Sequence, residues 1–235
     1  HRAGAERIEA IIDRVSGWLR LNDKPKADQI PALVLSTYPG KDWQMAHAVG
    51  LDALASAEAM LFDLQSEDYE TAPAEPVSET LPDARISWPL EGYLGALAEL
   101  PEQLQTDLHT AWGNCEDDPA FDDGAFHFTA LRRGKALVAL QPERGTPELR
   151  DDDYHDLSRT PRHGYVAFYL WLRKGLGADA LIHIGAHGTL EWLPGKSVAL
   201  SAACWPEALI GDLPVIYPFI VNDPGEAAQA KRRIG

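Results

Sequence analysis

Three side chains able to bind a metal ion or accept a proton follow one another at intervals of four: His183, His187 and Glu191. On a continuous helix they would share a face, but Gly185 and Gly188 argue against one. The segment reads instead as a strand ending near Ile184, a glycine turn carrying His187, and a short helix opening near Thr189, whose hydroxyl would cap it. Glu191 then falls in the first turn, where a carboxylate is favoured, and Pro194-Gly195 stops the helix. Neutral imidazole and carboxylate together suit borderline divalent ions such as cobalt or zinc. The same groups accept protons near neutral pH. His183, His187 and Glu191 are therefore expected as catalytic groups and as transient metal ligands. The spacing alone also fits a metal-dependent hydrolase, although it is not the H-E-x-x-H order of zinc peptidases. His183, on a strand, reads equally well as a hydrogen-bonded core residue.

Such a site needs a scaffold. Residues 3–21 have the spacing of an amphipathic helix, with Ile8, Ile11, Ile12, Val15, Trp18 and Leu19 on one face. Residues 31–36 form a buried-strand pattern, and 49–64 return to helical spacing. Residues 65–90 are rich in Pro, Glu and Ser and read as a linker, followed by a helix over 90–111 interrupted at Pro101. Then strands at 135–140, 180–184 and 214–221 alternate with helices at 164–174, 206–211 and 224–233. This alternation predicts an α/β fold, a parallel doubly wound sheet with helices on both faces and room for two α/β lobes. The expected units are an α/β lobe beginning in 1–65, a linker and irregular or helical region in 66–130, and a lobe carrying the histidine segment in 131–235. Ligands of such sheets sit outside the carboxyl ends of the strands, where His187 and Glu191 are expected.

The 235 residues carry a net charge of -15, which disfavours nucleic acid and anionic membrane surfaces as partners. Two distant cysteines, Cys115 and Cys204, predict reduced thiols in a cytoplasmic protein. No apolar run reaches the length of a membrane span. A first residue that is not Met leads us to expect a piece of a longer chain.

The run H-I-G-A-H-G-T-L-E-W-L-P-G-K from His183, continuing through S-A-A-C-W-P-E-A-L-I-G-D-L-P-V-I-Y-P-F-I-V-N-D-P-G-E-A-A-Q-A-K-R-R to Arg233, closely resembles the large-subunit family of aerobic cobaltochelatase. The homologous magnesium chelatase large subunits belong to the same group. Q-P-E-R-G at 141–145 and P-R-H-G-Y-V-A-F-Y at 161–169 resemble further family stretches, as do 34–40 and 49–52 more loosely. The resemblance implies a cytoplasmic, multi-subunit, ATP-dependent enzyme of cobalamin synthesis that inserts Co(II), as substrate ion, into hydrogenobyrinic acid a,c-diamide. It also implies two partner subunits related to AAA+ motors, which bind ATP and Mg. The absence of a G-x-x-x-x-G-K-[ST] loop here agrees with that division. The stretches at 191–194 and 217–226 resemble the cobalt branch more than the magnesium branch.

Five further residues are candidates for binding a flat, carboxylate-bearing macrocycle. Arg144 and Lys196 could pair with carboxylates, Trp192 could stack, and His163 and Thr189 stand at helix starts near the motif. Each also has a bland reading, as ion pair, core residue or cap. Asp151–Asp153 reads as a solvated acidic loop, and Asn222-Asp223 as a helix cap. The alternatives are a magnesium chelatase subunit acting on protoporphyrin IX, a tetrapyrrole-binding module without chemistry, and a metal hydrolase. Tight metal retention would mark the hydrolase.

Overall fold

The computed structural model describes residues 4–36, 47–48, 51–72, 74–145, 157–185, 189–218, 228 and 231–233. His187, the acidic loop at 151–153 and the cap at 222–223 lie outside the described residues.

The central sheet contains β1 (Pro31–Leu35), β7 (Ala130–Arg133), β8 (Ala136–Leu140), β9 (Ala180–Ile184) and β10 (Val215–Ile216), in the order β10-β9-β1-β8-β7. Two short strands, β2 (His47–Ala48) and β3 (Leu51–Asp52), pair separately. The strands β10, β9, β1 and β8 run parallel, whereas β7 pairs antiparallel with β8 across a tight turn at Gly134. The sheet is therefore mixed rather than wholly parallel. A two-residue connection can only reverse the chain, whereas a parallel neighbour needs a long crossover.

The first 65 residues and the last hundred contribute strands to this same sheet. β1, from the first 65 residues, is the middle strand, between β8 and β9 from the last hundred. Every residue of β1 is buried, which explains its unbroken apolar run. Alternation along the strands sorts two cores. Ala32, Val34, Leu137, Ala139 and Leu181 face one core, and Leu33, Leu35, Val138 and Ile184 face the other. The first core is roofed by α4 (Leu90–Ala98), α5 (Glu102–Trp112), α6 (His163–Leu170) and α7 (Trp205–Ile210). The second is covered by α2 (Ala53–Ser66) and α3 (Val77–Thr80). The helices thus cover both faces, as the alternation of elements predicted.

Residues 66–130, expected as a linker with irregular and helical structure, carry a second sheet. β4 (Ile86–Pro89), β5 (Phe121–Asp122) and β6 (Ala125–Phe128) pair antiparallel in the order β4-β6-β5. Its aromatics enter the first core: Phe126 sits edge-on to Tyr93, and Phe128 stacks on Trp171. These strands are only two to four residues long, too short for a clear alternation, and β4 also falls in the Pro- and Glu-rich stretch 65–90.

The first helix, α1 (Ala5–Asp23), forms as expected but docks by its other side. Ile8, Ile11, Ile12, Val15, Trp18 and Leu19 are 46–64% exposed. The anchoring face uses Gly17, which lies against the backbone of Asp212, with Arg7 and Arg14 on Glu207 and Arg20 on Asp212. No described helix is long and apolar enough to cross a membrane.

Candidate functional site at the carboxyl edge of the sheet

The helix that follows β1, α2, packs on one face, and those that follow β8 and β9, α6 and α7, pack on the other. Helices following neighbouring strands thus lie on opposite faces, the arrangement that marks the ligand edge of such sheets. A row of polar side chains lines this edge. Val34 is level with His183, and both lie on the face of the first core. One residue past the paired strands, Ser36 comes level with Gln141, and Tyr217 with His183. The alternation places all four on the same face.

Contacts confirm the row. Ser36 Oγ and His183 Nε2 are 2.7 Å apart. The Tyr217 ring lies 5.0 Å from the His183 ring. The Tyr217 hydroxyl donates toward the Glu191 carboxylate, at 3.3 Å from Oε1 and 3.2 Å from Oε2. Both His183 and Glu191 are buried, Glu191 completely. A fully buried carboxylate is rare without strong partners.

Glu191 sits in a 3-10 turn, Leu190–Trp192, within the reach of the expected short helix. Thr189 occupies the N-cap position, but its hydroxyl does not cap the turn. It lies 2.7 Å from Tyr165 Oη and accepts from Gln141 Nε2 at 2.9 Å instead. A turn of three residues leaves few exposed N–H groups, and the buried amide of Gln141 competes for the hydroxyl. Gln141 Nε2 also lies 3.0 Å from Tyr165 Oη and 2.8 Å from Tyr169 Oη. Burial raises both tyrosines well above their ordinary value, so they are neutral hydroxyls beside Glu191.

The turn is fastened through its backbone. Arg233 donates from Nη1 to the carbonyl of Glu191 and from Nη2 to that of Leu193, each at 2.7 Å. Arg144 donates from Nη1 to the carbonyl of Trp192 at 2.9 Å. Cys204 accepts from the N–H groups of Lys196 and Ser201. Burial would raise this thiol, but the hydrogen bonds from Ser201 and Lys196 outweigh it and hold it below its ordinary value.

The structure thus gathers His183, Thr189, Glu191, Trp192 and Arg144 around one edge, with Trp192 half-buried. His163 and Lys196 are placed differently. His163 Nε2 faces the carbonyl of Gly113 at 3.1 Å, and an acceptor there requires Nε2 to carry the hydrogen. Nδ1 then accepts from Tyr93 Oη at 2.6 Å. Burial pushes this ring below its ordinary value, against the opposing effects of Gly113 and Asp118. Lys196 is exposed on the loop beside Cys204. Among the described residues no three His, Cys, Asp or Glu side chains converge as a metal cage.

Known proteins match this chain along its whole length. The family profile described as CobN/Magnesium Chelatase covers residues 1–235. The chain belongs to the CobN/magnesium chelatase family. It is 44% identical to the aerobic cobaltochelatase subunit CobN of Pseudomonas aeruginosa, over 98% of this chain and 20% of that protein. It is 29% identical to a magnesium-chelatase subunit of Rhodobacter capsulatus, over 97% of this chain and 20% of that one. The solved catalytic subunit of cobaltochelatase from Mycobacterium tuberculosis superposes with a TM-score of 0.81 at 38% identity, covering 99% of this chain and 21% of that chain. This member therefore spans about a fifth of the length of the relatives it matches.

For this family member, the sequence reading missed Ser36, Gln141, Tyr165, Tyr217 and Arg233. A signal was present for three of them. Ser36, Gln141 and Tyr217 are each the first polar residue after an apolar strand run. Alternation then assigns their faces, but only the strand order makes them neighbours. Nothing local in the sequence marks Arg233 as a partner of a turn some 40 residues earlier.

Proposed function

We propose that this chain forms the metal-insertion part of a cobaltochelatase large subunit, which places Co(II) in hydrogenobyrinic acid a,c-diamide during cobalamin biosynthesis in the cytoplasm. The observation that carries this reading is the buried Glu191 carboxylate, bonded to Tyr217 beside His183 at the carboxyl edge of the sheet. Metal insertion requires the macrocycle's N–H protons to leave and the ion to shed part of its water. Glu191 accepts a proton, and with His183 and His187 it offers a passing ion oxygen and nitrogen donors in place of water. In this reading the three residues are the catalytic groups and the transient metal ligands. Trp192 and Lys196 contact the macrocycle and its carboxylates. Arg144 and Thr189 shape the pocket through the hydrogen bonds described above, and His163 acts at one remove, from its bonds to Gly113 and Tyr93. ATP and Mg act on two AAA+-related partner subunits.

Higher identity to the named cobaltochelatase subunits, 44% and 40%, than to the R. capsulatus magnesium-chelatase protein, 29%, supports cobalt over magnesium. Imidazole among the donors supports it as well, because Mg(II) favours oxygen ligands throughout. The test supplies the full-length subunit with its partners, ATP and either Co(II) with the corrinoid or Mg(II) with protoporphyrin IX. Insertion of cobalt into the corrinoid alone is expected. Insertion of magnesium into the porphyrin, with none of cobalt, would establish the magnesium reading instead.

A further inference from the structure

Two residues outside the 181–196 segment hold Glu191 at two levels. Arg233 takes the backbone, forking onto the carbonyls of Glu191 and Leu193. With Arg144 on Trp192, three successive carbonyls each accept from a guanidinium. A 3-10 turn of three residues without a side-chain cap has little stability of its own, so its shape is imposed from outside. Tyr217 takes the carboxylate, nearly equidistant from its two oxygens, while its ring lies against His183.

The choice of partners is informative. A buried guanidinium commonly forks onto a carboxylate. Here Arg233 forks onto backbone carbonyls instead, and a neutral hydroxyl meets the carboxylate. The arrangement fixes the position of Glu191 without committing its carboxylate to a bidentate ion pair with Arg233. The chain also makes room for the guanidinium. Gly195 has φ +148°, and a Cβ there would meet Cys204 Cβ at 2.7 Å and Arg233 Nη2 at 3.1 Å.

We propose that Tyr217 and Arg233 are positioning residues for Glu191, the first orienting the carboxylate toward His183 and the second fixing the turn that carries it. This rests on the reading of Glu191 as the group that handles proton and metal. The test uses the full-length subunit with its partners, ATP, Co(II) and the corrinoid, and separates kcat from KM. Tyr217→Phe keeps the ring and removes only the hydroxyl. It is expected to lower kcat by about 10- to 100-fold, with KM for the tetrapyrrole unchanged, because small misplacements at a reacting centre cost up to about 10²-fold. Arg233→Lys retains the charge but cannot fork, and kcat is expected to fall similarly. Added guanidinium ion is expected to restore part of the activity of Arg233→Ala. Wild-type kcat in Tyr217→Phe would overturn the proposal, as would a raised KM with unchanged kcat, which marks a substrate contact. If Arg233→Ala does not fold, Tyr217→Phe and Arg233→Lys decide. Glu191→Gln is measured alongside. Normal insertion by that variant would sink the underlying reading, whereas an inactive Glu191→Gln beside a fully active Tyr217→Phe and Arg233→Lys would sink only the positioning roles.

Discussion

Glu191→Gln in the full-length subunit is expected to slow Co(II) insertion by about 10²- to 10⁴-fold, the range lost with a positioned general base. The substitution is nearly isosteric. The amide oxygen still accepts from Tyr217, and the turn keeps its bonds from Arg233 and Arg144, which go to backbone carbonyls. The fold therefore survives and the loss falls on kcat. His187→Ala is expected to act in the same direction, since it removes the imidazole donor nearest to Glu191 in the sequence. Insertion assays with partner subunits and ATP measure both. Normal rates in both variants would remove the site from this edge of the sheet.

The second large effect is on stability. Gln141 is buried, and its two N–H groups are shared among the hydroxyls of Tyr165, Tyr169 and Thr189. Removing it leaves buried hydroxyls short of a partner, at about 1–3 kcal/mol each, and opens a polar cavity under Thr189. Gln141→Ala is expected to cost about 2–5 kcal/mol of local stability in β8, β9 and the turn after them. Hydrogen exchange of those amides in the full-length subunit is the appropriate measurement, because a large multi-domain protein does not melt in two states. A change of less than about 1 kcal/mol would mean that the network is slack and does not support Glu191.

Much of the scaffold could be read in the chain. The run 180–184 is a strand to the residue, because four apolar residues and His183 lie between Asp179 and Gly185. Pro101 splits the helical stretch 90–111 into α4 and α5, as a residue lacking an N–H must. Topology was less legible. That β1 sits between β8 and β9 depends on packing between segments 100 residues or more apart, which no local pattern carries. α1 shows the opposite failure. Its apolar stripe is real, but the glycine and arginines of its other face decide the docking, since Gly17 alone permits contact with the Asp212 backbone.

The site was legible in one dimension only. The types and spacing of His183, His187 and Glu191 pointed to metal and proton chemistry, with His187 and Glu191 expected at the carboxyl edge; Glu191 lies there, near His183 at the end of β9, and His187 lies outside the described residues. Their supports were not legible. Tyr217 reaches Glu191 only because β10 pairs with β9, and Arg233 only because the chain returns to the turn. Thr189 looked like a cap by position, yet its hydroxyl goes to a buried network whose members come from three separate segments.

The most direct test of a site that hands metal on is a Co(II) titration of the full-length subunit, followed by the visible absorption of the ion. Weak binding is predicted, with Co(II) lost on gel filtration and the absorption change diminished in Glu191→Gln. Stoichiometric Co(II) that survives dialysis against a chelator, or binding indifferent to Glu191, would contradict it.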